Sequence, residues 1–354
     1  MHSNLSLIEK YRDYLPVTKN TPFVTLGEGN TPLVRALNMP QQLGFPNLNL
    51  FFKLEGLNPT GSFKDRGMTL AISKALEAKA SAVVCASTGN TSASAAAFAT
   101  KAGLKCYVVL PGGQVALGKV AQAVLYGAKL MLIDGNFDCA LNLVKELAEQ
   151  CNLTIVNSIN PHRLEGQKTA ALEVVEQLGQ APDFLFIPVG NAGNISAYWR
   201  GFKLAKDLKL CKATPRMFGF EAQGSAAIVK GHPIDNPETI ATAIRIGNPA
   251  SWKEAVNAAN ESDGKIDCVS DAEILEAYQL AARTEGIFCE PSSAASIAGL
   301  IKYLDNGTVA ETSTVTCVLT GNGLKDPETP LKLGPKKLET LEPSLSKLRE
   351  AMSL

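Results

Sequence analysis

The chain lacks the marks of several large functional classes. Its 34 basic residues are matched by 34 acidic ones, so no net charge favours nucleic acid or an anionic membrane as the main partner. No apolar run approaches the roughly eighteen residues that a membrane span needs. The segment Met1 to Lys10 lacks the basic-then-apolar order of a secretory signal, and its Leu5, Leu7, Ile8 and Tyr11 are spaced to pack on the body of the protein. The three histidines (His2, His162, His232) lie far apart without metal-ligand spacing, so no metal site is expected. The eight cysteines (Cys85, Cys106, Cys139, Cys151, Cys211, Cys268, Cys289, Cys317) include no C-x-x-C pair, and several sit in apolar strand-like runs. They are expected to be buried free thiols in a reducing cytoplasm. Neither G-x-G-x-x-G nor G-x-x-x-x-G-K-[ST] occurs, which weakens dinucleotide and P-loop readings.

What is present is a long alternation of strand-like and helix-like segments. Strands are expected at Leu48–Leu54, Ala82–Ala86, Lys105–Leu110, Lys129–Ile133, Leu153–Val156, Asp183–Val189, Arg216–Glu221, Lys265–Val269 and Thr314–Leu319. Helical patterns stand between most of them. This predicts an α/β protein with open, mostly parallel twisted sheets covered by helices on both faces. A length of 354 residues suggests two domains. The tail Leu341–Met352 is predicted to form an amphipathic helix docked on the surface. No internal repeat or low-complexity segment is visible.

The chemistry centres on Asn58-Pro-Thr-Gly-Ser-Phe-Lys-Asp-Arg-Gly67. Pro59 and Gly61 mark a tight turn. Ser62 and Asp65 have the spacing of a capping box, which predicts a helix starting at Phe63 with Lys64 in its first turn. The positive helix end disfavours a cation there by roughly 0.3–1 kcal/mol and so favours the neutral, nucleophilic amine.

Three other polar turns follow strands. Ser87-Thr-Gly-Asn-Thr-Ser92 has the strand–turn–helix form that presents backbone N–H groups to an anion, although an ordinary capped turn has the same pattern. Asn157-Ser-Ile-Asn-Pro-His-Arg163 places an arginine at a helix entrance, where its fork can hold a dianionic phosphate; in isolation it also reads as a surface ion pair. Gly190-Asn-Ala-Gly-Asn194 has two glycines that let successive N–H groups turn inward.

Together these segments resemble the pyridoxal-phosphate enzymes of the tryptophan-synthase-β structural group (fold type II), and within it the threonine synthase family. The likeness runs through seven segments in the family's order: Gly-Asn-Thr-Pro-Leu33, the lysine segment, Ser87 to Ser92, Asn157 to Thr169, Gly190 to Asn194, Glu290-Pro-Ser-Ser-Ala294, and Thr320-Gly-Asn-Gly-Leu-Lys-Asp326. The resemblance implies pyridoxal 5'-phosphate linked to Lys64, with Asn90 on its phenolic oxygen and Gly190, Asn191, Ala192, Gly193 and Asn194 around its phosphate. Thr320 would meet the pyridine nitrogen; a hydroxyl does not keep that nitrogen protonated as a carboxylate would, which makes the cofactor a gentler electron sink. Thr88, Asn157, Ser158, Arg163 and Asn191 would bind the phosphate of O-phospho-L-homoserine, to be converted with water to L-threonine and phosphate. A homodimer is expected, with residues 1–57 and 151–354 as the larger phosphate-binding domain and 58–150 as the smaller, lysine-bearing one. The N-terminus is shorter than in the S-adenosylmethionine-regulated plant form, so no such activation is expected. Two other readings are a threonine or serine dehydratase, whose site does not need Arg163, and a non-catalytic cofactor-binding protein.

Overall fold

The structure is a computed structural model that describes residues 5–112, 117–134, 137–334 and 340–354. Ten strands are present among the described residues: β1 (Leu33–Arg35), β2 (Asn49–Leu54), β3 (Ala82–Ala86), β4 (Lys105–Pro111), β5 (Lys129–Ile133), β6 (Leu153–Ile155), β7 (Phe184–Pro188), β8 (Arg216–Ala222), β9 (Lys265–Val269) and β10 (Thr314–Leu319). They form a six-stranded sheet in the order β1-β2-β10-β7-β8-β9 and a four-stranded sheet in the order β5-β4-β3-β6. Every pairing is parallel except β1 with β2. The central strands explain the expected topology: all five residues of β3 and all five of β7 are buried, as strands covered on both faces must be.

The smaller sheet departs from the expected boundary at residue 150. Its last strand, β6, pairs with β3 in the register Ala82 to Leu153, so this sheet draws on chain beyond that boundary. The reason is local: Val84 and Ala86 need an apolar neighbour on that edge, and Leu153 and Ile155 pack into the cluster that contains them.

The helix that carries the lysine spans Lys64–Glu77 and lies where both bodies of core meet. Its Met68, Ala71, Ile72 and Ala75 join the cluster under the four-stranded sheet, while Leu70 packs with Ile187, Val189 and Ile195 beside the six-stranded one. It crosses the short helix Pro161–Gln167 at unusually close range. A methyl group at Gly166 would stand 2.1 Å from the Arg66 carbonyl oxygen, and one at Gly67 would stand 2.6 Å from that of Arg163. Only glycine fits at either position.

A buried charge cluster ties the root of the lysine helix to the large sheet. Arg66 forks onto Glu55 (2.7 and 2.8 Å) and onto Glu173 (2.7 and 2.6 Å), and Lys53 reaches Glu173 at 2.9 Å. The Gly-Asn-Thr-Pro segment closes the cluster: Thr31 donates to Glu55, and the Asn30 amide donates to Glu173. That segment therefore has a structural task.

At the N-terminus Leu7, Ile8 and Tyr11 are buried as expected, whereas Leu5 is half exposed. The expected docking of the tail does not occur. Leu345–Ala351 is helical, but Leu345, Leu348 and Met352 all face solvent. Five cysteines (Cys85, Cys106, Cys211, Cys289, Cys317) are buried free thiols, Cys268 is half-buried and Cys151 is exposed; Cys139 lies in the helix Phe137–Gln150, and its side chain is outside the described ones. Among the described residues no helix is long and apolar enough to cross a membrane.

Candidate active site

The carboxyl ends of β3 and β7 open onto one cleft of about 720 Å³, and the polar turns singled out in the sequence line it together. Lys64, Thr88, Asn90, Asn157, Ser158, Arg163, Gly190, Asn191, Ala192, Gly193, Asn194 and Thr320 all reach its wall. Ligands collect at such strand ends in open α/β sheets because the following helices begin there, with unpaired N–H groups.

Lys64 is the first residue of its helix, and the capping box is not formed. The preceding residue, Phe63, is already helical, and Asp65 turns away from Ser62 to accept from the Thr60 amide (2.7 Å), the Thr60 hydroxyl (2.6 Å) and Ser94 (2.6 Å). The Lys64 amine is brought down to about 7, first by desolvation and then by the Arg163 cation, with Glu290 opposing. Burial is thus the leading cause, rather than the helix field. Its Nζ stands 3.8 Å from the centre of the Phe63 ring.

Arg163 is fully buried. Its NH1 donates to the Val156 carbonyl (2.7 Å), its Nε has no partner, and no carboxylate pairs with it among the described residues. Desolvation depresses it to about 10. An unpaired guanidinium at a buried wall is costly unless an anion comes to it.

The neighbouring residues divide into those already committed and those free. Asn157 uses both ends of its amide on the backbone of Ala86, accepting its N–H (2.9 Å) and donating to its carbonyl (2.8 Å). It holds the β3 turn in place. The Asn191 side-chain oxygen Oδ1 accepts from the Ala250 amide (3.0 Å), whereas the buried Asn194 Nδ2 has no partner among the described residues. Ala192 adopts a left-handed conformation (φ 64°) just before the helix Gly193–Asp207, which swings that helix's first amides toward the cleft.

Sequence reading gave Glu290 no role, yet it lines the cleft. Its Oε2 accepts from Asn90 Nδ2 (3.0 Å) and its Oε1 from Thr320 (3.3 Å). Burial raises its carboxyl, against the pull of Asn90, Lys64, Lys325 and Thr320. An acidic residue opening a small-residue helix was the available signal. The loop 233–248, with Arg245, also overhangs the cleft and carried no motif of its own.

A family model described as pyridoxal-phosphate dependent enzyme matches residues 24–321. The threonine synthase of Synechocystis is 58% identical over 347 residues, covering 98% of this chain and 90% of its own. Those of Halalkalibacterium halodurans (59% over 323 residues; 91% of this chain, 90% of its own) and Methanocaldococcus jannaschii (50% over 341; 93% and 84%) are similar at comparable length. The chain belongs to the pyridoxal-phosphate-dependent enzymes, and within them to the threonine synthase family. Solved structures agree on the fold. Maize serine racemase superposes with a TM-score of 0.73 at 23% identity, covering 86% of this chain and 92% of its own. The processed form of threonine deaminase isoform 2 from Solanum lycopersicum does so at 0.70 and 22%, covering 91% and 82%. The fold class expected from the sequence is thereby established, as are the cofactor class and the enzymatic nature of the family.

Proposed function

We propose that this enzyme converts O-phospho-L-homoserine and water to L-threonine and phosphate, and that Arg163 recognises the substrate's phosphate. The observation that carries the reading is the buried, unpaired guanidinium of Arg163 in the same cleft as a lysine titrating near 7. A dehydratase acting on serine or threonine has no distal anion to repay that buried charge.

The residues present fit pyridoxal phosphate. Asn194 Nδ2 is a buried donor without an acceptor among the described residues, and the turn that carries it opens the helix Gly193–Asp207, whose first amides have no partner within the helix. Gly190 to Asn194 would hold the cofactor's phosphate at the helix start, Lys64 would anchor its aldehyde, and Asn90 and Thr320 would meet its ring. When bound, the cofactor supplies an electron sink for charge that develops on the substrate's carbon chain.

The chain's own residues then account for orientation and proton movement. Lys64 is the base poised to move protons at substrate Cα and Cβ, since an amine near 7 both gives and takes a proton at neutral pH. Arg163, with Thr88, Ser158 and the free amide nitrogen of Asn191, would hold the leaving phosphate; Asn157 contributes mainly by fixing the Ala86 end of that turn. Two dianionic groups repel strongly in one cradle, so separate cradles for the cofactor's and the substrate's phosphates are required. A smaller body built on the four-stranded sheet is proposed to close over the cleft, and the working form is proposed to be a cytoplasmic homodimer. The decisive assay is release of inorganic phosphate from O-phosphohomoserine with L-threonine identified as product. Ammonia and a keto acid from serine or threonine, without phosphate release, would refute the assignment.

A further inference from the structure

Gln167 is a buried amide in the cleft wall to which the functional reading gives no task. It is 3% exposed and lines the cleft beside Arg163 and Leu164. Four residues, about one helical turn, separate it from Arg163, so both side chains leave the same face of the helix Pro161–Gln167. The polar residues around them are engaged elsewhere. Glu165 pairs with Lys168 and with Arg200, and the Thr169 hydroxyl donates to the Gly166 carbonyl (2.7 Å).

The close crossing at Gly67 fixes where this amide lies. A methyl at Gly67 would stand 2.9 Å from Arg163 Nε and 2.9 Å from Gln167 Nε2, so no more than twice that distance separates the two nitrogens. Their surroundings differ. Arg163 Nε is sealed in without a partner, whereas neither atom of the Gln167 amide is sealed in that way, and neither bonds to protein among the described residues. The little of Gln167 that stays accessible therefore includes its amide, and the surface it reaches is the cleft. An amide nitrogen has two hydrogens to give, and leaving them unpaired in a nearly closed wall is costly until an acceptor arrives.

We propose that Gln167 is a further substrate-binding residue, whose amide nitrogen donates to the same substrate phosphate that Arg163 holds. The inference rests on the functional reading above, in which that phosphate meets Arg163. Donors so close together reach neighbouring oxygens of one tetrahedral anion. Neutrality suits Gln167 to this place. The Arg163 cation already lowers the Lys64 amine, and a second cation in the same wall would lower it further, leaving too little of the protonated form at neutral pH. An amide adds a hydrogen bond to the phosphate and no charge. Selection of a phosphorylated substrate is thus shared between a charged donor and a neutral one on a single helix face.

The test measures the affinity of the holoenzyme for inorganic phosphate by calorimetry, with kcat/KM for O-phosphohomoserine on the same samples, in Gln167→Met and in Arg163→Met as reference. Methionine keeps the unbranched stem and deletes the amide. Gln167→Met is expected to lose on the order of ten-fold in phosphate affinity and in kcat/KM, with cofactor content and melting temperature retained. If that variant does not hold its cofactor, Gln167→Glu replaces it. Its carboxylate, equal in size to the amide, repels phosphate, and the loss should exceed ten-fold. Unchanged phosphate affinity in whichever variant holds cofactor overturns the proposal, and a fall in melting temperature alone marks a merely structural residue and does the same. The reference separates the two failures. Phosphate affinity lost in Arg163→Met but kept in Gln167→Met removes Gln167 alone, whereas affinity kept in both removes the phosphate cradle and the functional reading with it.

Discussion

Replacing Arg163 by methionine removes the guanidinium while keeping an unbranched stem in the gap between the Gly67 and Gly166 crossing and β6. The structure sets the expected magnitude. Arg163 makes a single bond of its own, to the Val156 carbonyl, and pairs with no carboxylate among the described residues. Loss of a charged hydrogen bond to a phosphate costs about 1.5–3 kcal/mol, or on the order of ten- to a hundred-fold in kcat/KM. Stability should suffer little, because the substitution also removes a buried cation with no carboxylate partner. The assay compares kcat/KM for O-phosphohomoserine with any slow turnover of serine or threonine, alongside cofactor content. Loss confined to the phosphorylated substrate is the expected result. A second readout follows from proximity: the Arg163 cation helps hold the Lys64 amine down, so cofactor uptake by the variant should need a higher pH. Equal losses on phosphorylated and unphosphorylated substrates, or loss of cofactor, would refute the assignment of Arg163 to the substrate.

Three further outcomes are expected. Lys64→Ala should lose the visible absorption of the lysine-linked cofactor and essentially all turnover; retained absorption would place the attachment on another lysine. Cofactor uptake by the wild-type apoprotein should rise with pH through about 7, since only the unprotonated amine reacts, and stopped-flow absorbance across that range checks it. Because the unfolded chain keeps this proton up to an ordinary lysine value, apoprotein stability should also grow as pH rises from about 7; a flat profile in both measurements counts against a depressed Lys64. Glu173→Gln leaves Arg66 and Lys53 with Glu55 as their remaining buried carboxylate, so denaturant unfolding should show a loss of about 3–5 kcal/mol, and a loss under about 1 kcal/mol would contradict the cluster's role.

Most of the architecture was legible because its strands are short apolar runs bounded by turns, and β9 and β10 begin and end where the residue pattern places them. The cleft was legible for the same reason: each polar turn sits at the end of such a run. Pairings across the chain were not. Nothing in Leu153-Thr-Ile155 says which sheet it joins, since three residues carry no directional pattern. Asp65 has the spacing of a capping partner for Ser62, but Ser94, 29 residues on, competes for it and wins. The Leu341–Met352 pattern is amphipathic, yet periodicity specifies only an apolar face and not a surface to receive it. Glu290 was hidden because its partners, Asn90 and Thr320, lie 200 and 30 residues away.

The glycine-to-backbone crossing of the lysine helix with the Arg163 helix has a mechanical consequence. With no side-chain atoms between the two backbones at that point, there is no cushion along which they can slide or pivot. The backbones that carry the amine and the guanidinium are therefore locked to one another. The closure proposed above would then be carried by Ser87–Thr91 and the loop 233–248, and the spacing of the two helix backbones at the crossing would stay constant through it.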